Sequence, residues 1–134
     1  MSQENVEIVD RFLRRWAQQD TNAALEDIDP EAVLDWSNSD APDSGIYNGH
    51  AAWRAFFQRR DEVFGDRRVD SAEVIPAAPD TVVLCARVRE QARASALDVE
   101  AGAAAVLMLH EGKIVSLKIY QTRHEALQAV GLEE

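Results

Sequence analysis

The hydrophobic period changes once along this chain, near residue 67, and that change limits the fold more than any other feature. Before it, apolar residues recur every three or four positions; after it, they gather into strand-length runs broken by turn residues. Val6, Val9, Phe12, Leu13 and Trp16 place an amphipathic helix over residues 3–19. A short helical restart, NAALEDI, follows Asp20-Thr21 and ends at Asp29-Pro30, because proline disfavours helical geometry in the residue before it. AVLDW reads as a strand, and from His50 onward Trp53, Phe56, Phe57 and Phe64 share one helical face. Arg60 sits inside that apolar stripe, an unusual place for a charge.

The second half holds four strand-like runs, RRVDSAEVIPA, DTVVLCARVREQ, ALDVEAGAAAVLML and KIVSLKIYQT, then a closing helix, RHEALQAVGL, that ends near Gly131. HEGK fits a three-residue hairpin loop with Gly112 in the left-handed position that a side chain resists. The order of helix, helix, strand, helix, four strands and helix predicts an α+β fold with helices gathered on one face of a sheet. No repeat, linker or low-complexity stretch divides the chain, so residues 1–134 read as one domain.

With 46% hydrophobic and 28% charged residues the composition is that of a globular protein, not a disordered one. A formal net charge of −10 repels polyanions, so neither nucleic acid nor a membrane surface is an expected partner. The single cysteine excludes an internal disulfide. The start, MSQENVEIVD, lacks a secretion signal, and no apolar run approaches the ~20 residues that span a bilayer, so a cytoplasmic protein is expected. None of the three histidines stands at ligand spacing from a second histidine or a carboxylate, and neither a metal nor a cofactor is expected.

Alternation along the late strands sorts their side chains into two faces. One face is expected to hold Val83, Cys85, Arg87 and Arg89, then Val99, Ala101, Ala103, Ala105, Leu107 and Leu109, then Val115, Leu117, Ile119 and Gln121. The other holds Val82, Leu84, Ala86 and Val88, then Ala104, Val106 and Met108, then Ile114 and Tyr120. Both faces are largely apolar while the helices suffice for one, so the second face calls for a homodimer burying on the order of 800 Å² per subunit. On the first face the alanines stand under helices that carry Phe12, Trp16, Trp53 and Phe57, and Arg87, Arg89 and Gln121 need partners there, which favours a cavity.

GIYNGHAAWRAFF opening the long helix, and LHEGKIVSLKIYQTRHEAL closing the chain, resemble the SnoaL-like members of the nuclear transport factor 2-like superfamily. The resemblance implies a curved, mostly antiparallel sheet wrapped around helices into a cone with an internal pocket, a fold shared with ketosteroid isomerases and usually dimeric through the outer sheet face. It also implies what is missing. The ketosteroid isomerase carboxylate base, oxyanion acid and tyrosine fall at Trp36, Ala105 and Phe12. The arginine of limonene epoxide hydrolases falls at Arg87, but Arg89 and Ile119 stand at the aspartate positions, and the late acidic residue of SnoaL-type cyclases falls at Ile119 or Gln121.

The expected function is therefore the binding of a small hydrophobic molecule, anionic or neutral, with Arg87 as its anchor. Phe12, Trp16, Trp36, Tyr47, Phe57, Arg87, Ala101, Ala103, Ala105, Leu117, Ile119 and Gln121 are the expected lining. Two plainer readings stand beside this: Arg87 paired with Glu100 or Asp98 across the hairpin, and the aromatic residues as ordinary core. The alternative function is an enzyme of isomerase, cyclase, dehydratase or epoxide-hydrolase type, with Asp35 or His50 carrying a proton and Arg87 meeting an oxyanion. The sequence leaves open whether any reaction is catalysed.

Overall fold

Ile8, Val9, Phe12 and Leu13 turn one buried face of α1 (Ser2–Ala17) toward a sheet, as their spacing predicts. The structure is a computed structural model that describes residues 2–39, 43–95 and 97–132, apart from the side chains of Ser2, Ala101 and Ala103. Asp20 caps α2 (Thr21–Leu25), its carboxylate accepting the Ala23 N–H at 3.1 Å. The chain continues through β1 (Ile28–Asp35), β2 (Ile46–Asn48), α3 (Gly49–Val63), β3 (Phe64–Ala78), β4 (Thr81–Ala92), β5 (Asp98–His110), β6 (Lys113–Tyr120) and α4 (Arg123–Ala129). The strands form one open, curled sheet in the order β2-β1-β6-β5-β4-β3, antiparallel except where β1 lies parallel to β6. The fold is α+β, as expected.

Three local features differ from the expectation. Asp29-Pro30 lies inside β1, where pairing with β6 is interrupted between Ile28 and Val33, and a proline without an N–H costs the ladder nothing there. Phe64 opens β3 directly after α3 instead of extending the helix, and β2 is a short strand within the polar segment that follows AVLDW. Two side chains on α3 fasten it to β1: Trp53 donates its indole N–H to the Ala32 carbonyl at 3.0 Å, and a ring nitrogen of His50 lies 2.7 Å from the Ile28 carbonyl.

Register decides which residues face the helices. On β4 and β5, Val82 pairs with Leu107, Leu84 with Ala105, Ala86 with Ala103 and Val88 with Ala101, so even positions of β4 share a face with odd positions of β5. This corrects the expected assignment, which matched odd with odd. Val82, Leu84, Ala86 and Val88 are the inward residues of β4, and Cys85, Arg87 and Arg89 stand on the outer face.

The β5–β6 connection is a two-residue turn, Glu111 and Gly112 both at positive φ, closed by the His110–Lys113 pair. A bulge at Val115 then shifts the register, so that Leu107 faces Leu117 and Ala105 faces Ile119 while Ile114 also turns inward. Leu117 and Ile119 thus share a face with Ala105 and Leu107 as expected, through the bulge and not through a three-residue loop, whereas Val115 is the bulged residue and Ile114, expected on the other face, is inward.

The outer face is not left bare. Thr122 caps α4 by accepting the Glu125 N–H at 3.1 Å, and Ala126 and Leu127 pack on Val83 and Ala104. The expectation that this face finds no helix within the chain is corrected to that extent. Met108 remains 42% exposed on this face.

Candidate functional site

Ala86 and Ala105 are small residues on the concave face, set beneath rings carried by α1 and α3, and the space between them is a cavity of about 80 Å³. Leu34, Leu84, Val88, Leu117 and Ile119 complete its sheet side. Phe12, Leu13 and Trp16 form one helical wall, Phe56, Phe57 and Arg60 the other, and Trp36 closes it from the segment after β1. The rings hold one another in place: Trp36 meets Phe56 edge-on at 5.1 Å, and Phe12 lies 6.3 Å from Phe57. Among the lining residues only Trp16, Trp36 and Arg60 keep appreciable solvent exposure, so the mouth lies among these three.

The mouth is also where the charge is. Arg60 donates to Glu90 at 2.9 Å and to Asp43 at 3.3 Å. Glu90 accepts in turn from Arg67, also at 2.9 Å, and Arg67 reaches Asp61 at 3.2 Å. The Arg67 side chain is 1% exposed; its guanidinium lies 4.0 Å from the Trp16 ring centre and donates to the Trp16 carbonyl. Burying these cations depends on their partners, since a lone charge in such a place costs several kcal/mol. The network therefore fixes the positions of Arg60 and Trp16 at the opening.

Four buried polar atoms at or beside the mouth have no hydrogen-bond partner among the described residues: Trp36 Nε1, Arg60 Nε, Asp43 Oδ1 and Arg67 Nη2, the last still facing the Asp61 carboxylate at 3.2 Å. Trp53 shows the contrast, its indole N–H being satisfied by a backbone carbonyl. Unpaired buried donors and acceptors are scarce in folded proteins, and each calls for a reason.

Seven of the twelve residues expected to line a pocket lie on this cavity: Phe12, Trp16, Trp36, Phe57, Ala105, Leu117 and Ile119. Tyr47 stands behind Phe56, 4.9 Å between ring centres, and gives its hydroxyl hydrogen to the Asp43 carbonyl. The side chains of Ala101 and Ala103 fall outside the described set.

Arg87 and Gln121 are not on the cavity. Arg87 is on the outer face, 59% exposed, and bonds Glu100 at 2.7 Å. This is the cross-hairpin pair of the plainer reading, and the β4–β5 register is its cause. Arg87 and then Arg89 hold the Glu100 carboxyl below its ordinary pKa. Gln121 is exposed just past β6 and donates to the Asn38 carbonyl.

The proton carriers considered from sequence are also committed elsewhere. Asp35 accepts the Ser37 hydroxyl and backbone N–H, at 2.5 and 3.0 Å, and these bonds lower its pKa. It alternates with inward Leu34 and Trp36, so no bulge brings it round to the cavity. His50 holds β1. Phe12, Trp36, Ala105 and Ile119, where the resemblance places catalytic groups of the relatives, do line the cavity, but none carries a titratable group.

Sequence reasoning missed Leu13, Leu34, Phe56, Leu84, Ala86 and Val88 on the lining, and Arg60 and Asp43 at the mouth. A charge inside an apolar helical stripe was a signal for Arg60. Asp43 lies in an irregular polar segment that carries no period to read.

A second depression, about 400 Å³ and more open, lies on the outer face beside Cys85, Arg87, Gln121 and Arg123. Its two arginines are met by exposed carboxylates, Arg87 by Glu100 and Arg123 by Glu73 at 3.1 Å. Among the described residues no three His, Cys, Asp or Glu side chains are grouped to hold a metal ion, and no helix is long and apolar enough to cross a membrane.

The sequence profile of the SnoaL-like domain matches residues 9–117, most of the chain and nearly every residue that lines the cavity. The chain belongs to the SnoaL-like family. Solved structures agree on the fold. This SnoaL-like chain superposes on a candidate polyketide cyclase from Xanthomonas campestris with a TM-score of 0.79 at 16% identity, covering 97% of this chain and 98% of the other. An NTF2-like protein from Burkholderia xenovorans gives 0.76 at 19% identity, over 98% of each chain. A protein with a ketosteroid isomerase-like fold from Catenulispora acidiphila gives 0.70 at 17%, over 94% and 93%. No curated protein matches the SnoaL-like chain in sequence.

Proposed function

We propose that this SnoaL-like protein binds a small, largely apolar organic molecule in the cavity between α1, α3 and the concave face of the sheet. One observation carries the reading: an apolar cavity whose unpaired polar atoms are confined to its mouth. That is the usual layout of a small-molecule site, with hydrophobic walls for affinity and a few polar groups for orientation. Arg60 takes the role first assigned to Arg87, as the guanidinium next to the ligand. Size limits what enters. An apolar cavity of ~150 Å³ takes up benzene, so one of about half that volume holds a single ring only with its edge at the opening.

Benzene is the direct probe. Titration should move the methyl resonances of Leu84, Leu117 and Ile119, and Ala105→Leu, whose three added carbons occupy the cavity, should abolish those shifts while the protein stays folded. Absence of any shift in the wild-type protein overturns the reading.

An enzymatic role draws its support from Asp43, a carboxylate beside Arg60 with one unpaired oxygen, and from a fold neighbour that carries the cyclase name. We also propose that two copies pair through the part of the outer face beyond α4, around Met108. The exposure of this large apolar side chain supports it.

A further inference from the structure

We infer that the ligand is a neutral molecule whose polar end both accepts and donates hydrogen bonds, a phenol, enol or cyclic alcohol, and that Asp43 selects it; this deepens the binding reading above and rests on it. The unpaired atoms define the complement. Trp36 Nε1 and Arg60 Nε are donors without an acceptor, and Asp43 Oδ1 is an acceptor without a donor; the fourth such atom, Arg67 Nη2, is faced by the Asp61 carboxylate at 3.2 Å. They belong together: Trp36 and Arg60 line the same mouth, and the other oxygen of Asp43 accepts from Arg60 Nη1 at 3.3 Å. A hydroxyl satisfies both kinds of group at once, offering lone pairs to the indole or guanidinium and its hydrogen to the carboxylate. A hydrocarbon satisfies neither, and a carboxylate brings acceptors alone.

Charge excludes the anion on separate grounds. Arg60 is held between Asp43 and Glu90, Glu90 is shared with Arg67, and Arg67 also faces Asp61. Two guanidiniums against three carboxylates leave this linked cluster with one negative charge in excess. Arg59 lies outside it, exposed and 5.7 Å from the Tyr47 ring. An anion entering the mouth would meet an arginine already neutralised, next to an unpaired carboxylate oxygen, in a chain of net charge −10. Asp43 is therefore a specificity-determining residue, holding Arg60 with one oxygen and reading the ligand's hydroxyl with the other. Tyr47 steadies it by donating to its backbone carbonyl.

The test compares benzene, phenol and benzoate by ¹H–¹⁵N spectroscopy, in which the indole N–H groups of Trp16, Trp36 and Trp53 each give a peak and Trp36→Phe identifies one. Phenol should bind about tenfold or more tightly than benzene, the gain expected of a hydrogen bond to a charged group, and should shift the Trp36 indole peak, with benzoate weakest. Asp43→Asn should bring the ratio of phenol to benzene affinity close to one. Should Asp43→Asn disturb the fold through Arg60, Trp36→Phe, which keeps a ring and loses the donor, should likewise narrow the gap between phenol and benzene. Benzoate binding more tightly than phenol, or equal affinity for phenol and benzene in the wild type, overturns the inference and leaves the apolar cavity a binding site. Failure of all three probes to bind overturns the binding reading and the inference with it.

Discussion

Trp36 and Trp53 sit in the same core, and a single atom separates their roles. Trp53 Nε1 is bonded to Ala32, whereas Trp36 Nε1 is buried and unpaired. Trp53→Phe is expected to strand the Ala32 carbonyl and cost roughly 1–3 kcal/mol in denaturant unfolding. Trp36→Phe removes a donor that was never satisfied and should cost clearly less, although the same atoms are deleted. Asp35 gives a second prediction. Its bonds to Ser37 depress its pKa in the folded state, so they stabilise above the ordinary carboxylate range, and the contribution is lost as pH falls through the lowered folded value. The gap in unfolding midpoint between wild type and Ser37→Ala should be open at pH 7 and close below about pH 4, near the unfolded aspartate value. A gap unchanged down to pH 2 would contradict it. Arg60 was legible at this scale, since a cation within a stripe of aromatics must find partners. Its partners were not, because Asp43 and Glu90 lie 17 and 30 residues away along the chain.

At the level of elements, the helices over 2–17 and 49–63 and the strands after residue 64 follow from hydrophobic period, which is local information. Which face of a strand points inward is not local. The turn that joins β4 to β5 sets the odd–even pairing that sends Arg87 outward, and the bulge in β6 restores a parity that its two-residue turn would have reversed. The outer face then makes a paired prediction. Leu127→Ala, on α4, should cost roughly 2–5 kcal/mol because it empties a buried contact with the sheet. Arg87→Ala should leave the unfolding midpoint within error of wild type, since an exposed ion pair contributes little, and should leave benzene and phenol uptake unchanged. Loss of ligand uptake in Arg87→Ala would restore that residue to the site and refute the register argument.

For the molecule as a whole, the long edge strand β3 shows how an open sheet is protected. Pro76, bulges after Phe64 and Val69, and the charges of Arg68, Asp70 and Glu73 discourage pairing with another chain along that edge. Self-association is therefore expected on the outer face and not at the edge. Sedimentation velocity should show a dimer for the native chain and a monomer for Met108→Glu, which sets a charge among the exposed apolar groups; a native monomer would refute the pairing.

By itself the sequence determined every element except β2, the α+β class, the family resemblance and the aromatic wall from Phe12 to Phe57, because amphipathic period and ring-rich stripes are written in neighbouring residues. Only the tertiary structure decided that the guanidinium at the mouth is Arg60 and not Arg87, and that Asp43 stands beside it. One residue of register carries every side chain of a strand to its opposite face, and that residue is counted in turns and bulges whose conformation the packed sheet selects.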